Sequence, residues 1–158
     1  MKLLIAVAVC AALGVGGGVG ASQEVMKQMT LKFGKALEEC KKDLSLPDSV
    51  QQDLMNFWKE DFVLSNRDTG CLIMCLSAKL NLHDDTGKLH KDKAMEFVKS
   101  HGGDDATAQT LIDLVHSCEG SAPDNPDGCL KVLDIAKCFK AGVHKLNWAP
   151  DMEIVAEI

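Results

Sequence analysis

The chain has 158 residues with 23 acidic and 17 basic side chains, a formal net charge of −6 and seven cysteines. This length suffices for one compact domain with its own core and is short for two. The acidic balance disfavours a nucleic-acid partner, because phosphate binding needs clustered lysine and arginine.

The first residues are typical of a cleaved secretory leader. Lys2 precedes an apolar run over residues 3–13, and a glycine-rich stretch ends at Ala21. The apolar run is shorter than the roughly 20 residues that span a bilayer, which argues against a membrane anchor. We therefore predict a signal peptide over residues 1–21 and a single domain of a secreted protein over residues 22–158.

Six cysteines remain once Cys10 leaves with the leader. An even number in an oxidising compartment predicts three disulfides rather than free thiols. Zinc sites usually offer C-x2-C pairs, whereas Cys71 and Cys75 form a C-x3-C pair. We expect no metal and no cofactor.

The sequence leaves the pairing of the six cysteines open, although two cysteines one helical turn apart are badly placed to bond each other.

Three helices are predicted in the first half of the mature chain. Apolar residues recur at three- and four-residue steps over residues 22–40, which indicates an amphipathic helix that is bent or interrupted near Gly34. A short second helix opens near Pro47, which a first turn tolerates. The third helix, over residues 67–80, carries Cys71 and Cys75.

Three more helices follow a polar connection at residues 81–88. The fourth, near residues 92–100, ends at a Gly-Gly pair, and the fifth is capped by Asp104 or Asp105. The sixth, over residues 129–146, is apolar over most of its circumference, which predicts a buried helix. Period-two alternation is absent, so the predicted fold is all-α with six helices.

Motifs of the common catalytic classes are absent from the sequence. There is no G-x-S-x-G, H-E-x-x-H, P-loop or Rossmann glycine pattern. A secreted phospholipase would need a glycine-rich calcium loop and a C-C-x-x-H helix, and the Asp84-Asp85 pair lacks the ligand alternation of an EF-hand. We predict that the protein is not an enzyme and has no catalytic residue.

The predicted inward faces are rich in methionine and phenylalanine. Such flexible and aromatic side chains suit a ligand cavity, although ordinary core packing explains any single one of them. Three disulfides favour the cavity interpretation, because they let a small fold tolerate an internal void that packing alone would penalise.

The cysteine spacing as a whole resembles a known family. From Cys40 it runs C-x30-C-x3-C-x42-C-x10-C-x8-C, which is similar to the six-cysteine signature of insect odorant-binding proteins. The runs FGKALEECKK, NFWKEDF, NRDTGC, MCLSAKLNL, HGGDDATAQTLIDLVHSCE and CFKAGVHKLNWAP resemble moth pheromone-binding proteins within that family. The resemblance covers residues 22–150.

The resemblance implies a disulfide-stapled six-helix fold around an internal hydrophobic pocket. It implies the pairs Cys40–Cys75, Cys71–Cys129 and Cys118–Cys138. The function it implies is an extracellular carrier that takes long-chain alcohols, acetates or aldehydes through the antennal sensillum lymph. The carrier would be a monomer or weak homodimer, and contact with an olfactory receptor membrane stays open.

Residues expected to form the pocket also follow from the resemblance. They agree with the faces predicted to point inward: Met26, Met29, Phe33, Phe57, Trp58, Ile73, Leu89, Phe97, Ile112, Val115, Ile135 and Phe139. Ser77 matches a hydroxyl that holds the polar head of the ligand in some relatives. The alternative for Ser77 is a hydrogen bond to the carbonyl of Ile73.

In relatives, acid pH near membranes favours insertion of the C-terminal segment into the pocket, with histidines as the trigger. His90 and His116 match the histidine positions, although either could be an ordinary solvated side chain. Two features depart from the family: Lys91 stands where a second histidine is expected, and only eight residues follow Pro150. We therefore expect weak or absent tail insertion, with acid release acting through His116 and the loop near His90.

Two alternatives remain at this point. One is a general odorant or lipid carrier without a pheromone role. The other is a saposin-like membrane-active protein, which would expose amphipathic faces and lyse liposomes.

Overall fold

A computed structural model describes residues 19–150, with side chains from residue 21 onward. Seven helices occupy this range, and a single antiparallel bridge between His83 and Leu89 is its only extended pairing. The all-α prediction is confirmed. The helices are α1 Val19–Lys35, α2 Leu37–Leu44, α3 Ser49–Asn56, α4 Arg67–Lys79, α5 Lys91–Ser100, α6 Asp105–Ser121 and α7 Gly128–Lys145.

The helix count differs from the predicted six because the first predicted helix is divided in two. The break falls at Ala36, whose backbone N–H bonds the carbonyl of Phe33 instead of a carbonyl four residues back. Gly34 lies just before the break, and glycine is among the weakest helix formers. The chain is therefore interrupted between α1 and α2, close to Gly34, where the sequence indicated a bend or an interruption.

Four helices begin at a residue whose side chain accepts a backbone N–H of the first turn. Asn66 accepts from the backbone N–H of Asp68, and Asp104 caps α6 in the same way. Asp127 caps α7 by accepting from two N–H groups, and His90 caps α5 through its Nδ1 atom. These bonds satisfy donors that a helix start otherwise leaves free.

Helix α4 is covalently joined to two other helices. The disulfide Cys71–Cys129 joins it to α7, and Cys40–Cys75 joins it to α2. A third bond, Cys118–Cys138, joins α6 to α7. These pairs are the ones that the resemblance implies. Helix α4 also packs closely on α7, since a side chain at Gly70 would collide with the carbonyl of Cys129.

A buried lysine fastens the segment between α3 and α4 to helix α7. Lys140 is only 7% exposed, its Nζ donates to the carbonyl of Phe62, and the same nitrogen lies 5.5 Å above the Phe62 ring. Burial lowers the pKa of Lys140, because removing water disfavours the charged form. The sequence did not predict this contact, because Lys140 belongs to a helix whose other residues are mostly apolar.

Two apolar clusters make up the core of the described residues. The larger gathers buried side chains of α1, α5, α6 and α7, and the smaller gathers those of α2, α3 and α4. Among residues 19–150, no helix is both long enough and apolar enough to cross a membrane.

Candidate ligand-binding cavity

A cavity of about 250 Å³ lies among the helices and touches both apolar clusters. Every helix except α2 contributes to its wall, as do Phe57 and Trp58 after α3 and the connection between α4 and α5. All thirteen predicted pocket residues line this cavity: Met26, Met29, Phe33, Phe57, Trp58, Ile73, Ser77, Leu89, Phe97, Ile112, Val115, Ile135 and Phe139.

Aromatic rings frame the cavity in edge-on pairs. The rings of Phe33 and Phe97 meet with centroids 5.9 Å apart, which brings α1 against α5. Trp58 meets Phe57 at 4.7 Å and Phe139 at 6.2 Å. Edge-to-face pairs at these separations are favourable, so the rings hold the wall in a defined shape.

The polar end of Trp58 is satisfied within the wall. Its Nε1 donates to the hydroxyl of Thr30 at 3.1 Å, and that hydroxyl donates to the carbonyl of Met26 at 2.7 Å. Thr30 therefore lines the cavity with its hydrogen-bonding capacity largely used, and this part of the wall behaves as apolar.

Twelve further lining residues were not singled out from the sequence. Most are small or aliphatic neighbours of predicted ones, on the same helix faces. They are Thr30, Leu54, Leu76, Leu82, His83, Gly87, Ala94, Val98, Leu111, Glu119, Val132 and Ala136. Glu119 and His83 are the exceptions, because each brings a titratable group to an otherwise apolar wall.

Glu119 presents a buried carboxylate whose two oxygens differ. Its side chain is 10% exposed, and Oε2 accepts from the backbone N–H of Leu89 at 3.0 Å. Oε1 is buried and, among residues 19–150, has no hydrogen-bond partner. A buried acceptor without a donor is costly, and His116 Nε2 at 3.9 Å is too far away to donate to Oε1.

Ser77 offers a second polar atom on the opposite helix. Within the described part of the chain its hydroxyl makes no hydrogen bond to protein, and the alternative bond to the carbonyl of Ile73 is not formed. A hydroxyl can both donate and accept, so it is compatible with any of the expected ligand heads.

The connection between α4 and α5 closes one side of the cavity. Leu82, His83, Gly87 and Leu89 line the cavity from this connection. Its turn is organised by Asp84, whose Oδ1 accepts from three groups of the following residues. The hydrogen bond from the Thr86 hydroxyl has the largest effect in lowering the pKa of Asp84. We call residues 81–90 the gate loop.

The two histidines predicted as a switch both hold the gate loop, and neither lines the cavity. His116 Nε2 lies 3.0 Å from the carbonyl oxygen of Leu89 and 3.9 Å from Glu119 Oε1. His90 accepts from the backbone N–H of Lys93 at 3.3 Å and so caps α5. The expectation about the C-terminal tail concerns residues 151–158, which lie outside the described residues.

Comparison with known proteins gives consistent matches. The model of the PBP/GOBP family matches residues 22–142. The chain is 52% identical over 155 residues to "Pheromone-binding protein 2" of Epiphyas postvittana, covering 98% of this chain and 93% of that protein. It is 37% identical to "General odorant-binding protein 1" of Bombyx mori, covering 83% of this chain and 80% of that protein.

A solved structure matches the same architecture. The crystal structure of Epiphyas postvittana Pheromone Binding Protein 3 aligns with a TM-score of 0.66 at 50% sequence identity. The alignment covers 73% of this chain and 98% of that one.

Proposed function

The chain belongs to the PBP/GOBP family, and from this premise we propose that it is a carrier that binds a hydrophobic pheromone or odorant in the cavity among its helices. The observation that carries the proposal is the cavity itself, whose wall is built from the inward faces of six helices. Its volume of about 250 Å³ lies just below the range of roughly 300–1,000 Å³ that is usual for small-molecule pockets.

The apolar wall supplies the binding free energy. Burying a dozen methylene groups at roughly 0.8 kcal/mol each gives about 10 kcal/mol before costs. Lost translational freedom and chain rotations return several kcal/mol, which leaves a dissociation constant near micromolar or somewhat tighter. Long-chain alcohols, acetates and aldehydes fit this balance because nearly all of their surface is apolar.

The polar head of the ligand would meet Ser77 and Glu119. The Ser77 hydroxyl accepts any of the three heads, whereas the unpartnered Oε1 of Glu119 accepts a hydrogen bond only from a donor. An alcohol brings such a donor, and an acetate or an aldehyde does not. We therefore propose that the cavity prefers an alcohol to the acetate of the same chain.

Family relatives and the sequence together support a secreted carrier rather than an enzyme. We propose that residues 1–21 are removed and that residues 22–158 form one domain that acts in the antennal sensillum lymph. Ser22 lies within the first turns of α1, where its side chain is buried. The intact mass of the secreted protein tests this, since the proposal requires a chain that begins at Ser22.

The saposin-like alternative is not favoured, because the apolar helix faces surround a cavity. A general odorant carrier is the nearer competitor. The 52% identity to a pheromone-binding protein against 37% to a general odorant-binding protein supports the pheromone assignment.

A cavity-filling substitution tests the proposed site. Ala136 is 6% exposed and lines the cavity from α7, so Ala136→Phe should occupy the space that a ligand needs. We expect at least about tenfold weaker binding of a fluorescent naphthylamine probe and of long-chain alcohols, because several buried methylene groups lose their place.

The matched control is Ala78→Phe, which adds the same ring at an exposed position of α4. It should leave binding unchanged, and circular dichroism should give the same helix content for both variants. Full-strength binding by a folded Ala136→Phe protein would place the ligand elsewhere and contradict the proposal.

A further inference from the structure

A second cleft lies along a face of helix α7 that the carrier cavity does not use. Its volume is about 540 Å³, and it opens between the segment that follows α3 and the C-terminal half of α7. Phe62, Val63 and Leu64 line one side, and Lys137, Lys140 and His144 line the other. None of these residues lines the carrier cavity.

The cleft is basic although the chain is acidic. Three lysines, including Lys145, and one histidine line it together with a single carboxylate, that of Glu60. The chain as a whole has a net charge of −6. Lys137, Lys140 and His144 follow the three- and four-residue spacing of one helix face, so their side chains converge on the same side of α7.

Two buried groups of the cleft lack the partners that such groups normally have. Lys140 carries three donors, and its Nζ bonds the carbonyl of Phe62. The carboxylate of Asp61 acts on its charge, but within residues 19–150 no ion pair forms within 4 Å. His144 Nε2 is buried and has no hydrogen-bond partner among the same residues. Nitrogen donors with spare capacity on residues one helical turn apart suit an anion with two oxygens.

The rim of the cleft is apolar. Val63 is 73% exposed, the largest exposure among the big hydrophobic side chains of the described residues, and the Phe62 ring lies beside it. An exposed apolar side chain next to buried cations favours a ligand with an anionic head and an aliphatic chain.

We propose that this cleft is a second ligand site, which takes the carboxylate of an aliphatic acid on Lys140 and His144 and its alkyl chain across Phe62 and Val63. Lys137, which also lies 3.8 Å from Asp134 Oδ1, and Lys145 line the cleft and attract the anion. The inference does not depend on the ligand of the carrier cavity, because the two sites share no residue.

Titration with decanoate, followed by amide chemical shifts of the labelled protein, tests the proposal. The carrier cavity is first saturated with a fluorescent naphthylamine probe, so that the two sites report separately. We expect saturable shifts at residues 60–64 and 137–145, and we expect decanol to leave these residues unshifted. Shifts confined to residues that line the carrier cavity, or equal shifts from decanol, would overturn the proposal.

Exposed lysines provide variants that should not disturb folding. The double variant Lys137→Gln with Lys145→Gln should weaken decanoate binding in the cleft about tenfold, since two attracting charges are removed. Lys32→Gln with Lys42→Gln removes the same charge at exposed positions of α1 and α2 and should change nothing. Equal weakening in both variants would show attraction by net charge and overturn the site.

His144→Phe separates the histidine from the lysines. It retains a ring against Trp58, whose centroid lies 6.4 Å from the imidazole, and removes Nε2. We expect weaker decanoate binding in the cleft and unchanged probe binding in the carrier cavity. Undiminished decanoate binding would remove His144 from the site.

Discussion

Glu119 is the residue at which the chemistry of the cavity departs most from a purely apolar pocket. One oxygen of its carboxylate is held by the backbone of the gate loop, and the other is buried without a partner among residues 19–150. A buried acceptor distinguishes ligands with a hydrogen-bond donor from those without one. A ligand without a donor leaves the acceptor unpaired, and this costs binding free energy.

The substitution Glu119→Gln tests this discrimination with almost no change of shape. The amide oxygen can still accept from the Leu89 N–H, and the amide nitrogen then brings a donor to the cavity. We expect the preference for an alcohol over its acetate to fall about tenfold or to reverse, because a hydrogen bond to a charged group contributes roughly 1.5–3 kcal/mol. Probe displacement by an alcohol and acetate of equal chain length measures it.

Glu96→Gln is the control, because it removes the same charge at an exposed position of α5. Its alcohol preference should equal that of the natural chain. An unchanged preference in Glu119→Gln would show that the ligand head lies away from Oε1 and would leave Ser77 as the sole candidate.

The apolar wall and Ser77 could be predicted from the sequence, whereas Glu119 could not. Thirteen predicted residues line the cavity because helical periodicity and family resemblance both report inward faces. Glu119 follows Cys118 at the end of α6, where a carboxylate ordinarily faces water. Its burial depends on the gate loop covering it, and that contact joins residues 30 apart in the chain.

At the scale of elements, the gate loop is held in the wall by hydrogen bonds and not by a disulfide. Its two ends are fixed by the bridge between His83 and Leu89 and by the cap that His90 gives α5. The two histidines in contact with it respond differently to acid. His90 accepts a hydrogen bond, which protonation of Nδ1 abolishes, whereas His116 can donate to the Leu89 carbonyl in either charge state.

We therefore predict that His90, rather than His116, makes ligand binding sensitive to acid. His90→Asn keeps an excellent N-cap that does not titrate. It should retain ligand at pH 5 about three- to tenfold better than the natural chain, because one cap contributes about 1 kcal/mol. Probe titrations at pH 7 and pH 5 measure the ratio of the two affinities.

Two controls delimit the effect. His101→Asn alters a histidine at the opposite end of α5 and should keep the natural acid response. His116→Gln should also keep it, since the amide can donate to the same carbonyl. Removal of residues 151–158 should leave the response unchanged, and a response abolished by that truncation would assign the switch to the tail instead.

The helices were easier to predict from the sequence than the connections between them. The predicted caps and glycine stops agree with α4 to α7 within a few residues. The break at Ala36 was indicated as either a bend or an interruption, because whether a glycine bends or divides a helix depends on what the two pieces pack against. Here Leu37 and Cys40 of α2 turn into the smaller core cluster with α4.

For the whole molecule, the disulfides separate the rigid part of the wall from the part that can move. The bonds of α4 close stretches of 35 and 58 residues, and each such link stabilises by about 4 kcal/mol in the chain-entropy account. Helices α4 and α7 are therefore fixed against each other. The gate loop, like α1, α3 and α5, is reached by no disulfide, and we expect the cavity to open there.

Acid unfolding of the whole molecule should be distinct from acid release of ligand. The pKa of Asp127 is lowered from 3.8, first by its hydrogen bond to Arg67, and the pKa values of Asp84 and Asp104 are lowered by hydrogen bonds in their turns. A carboxyl group with a lowered pKa stabilises the fold above its unfolded value, and the stabilisation is lost as the pH falls through the folded value. These carboxyl groups stay ionised between pH 7 and pH 5, where the one cap at stake is that of His90 on α5. The free energy of unfolding in guanidinium should therefore change by no more than roughly 1 kcal/mol over this range. The free energy of unfolding should fall steeply only below about pH 4.

Asp127→Asn, which keeps a cap but cannot titrate, should make the loss of stability below pH 4 shallower. A large loss of stability already at pH 5 would instead make ligand release a consequence of unfolding.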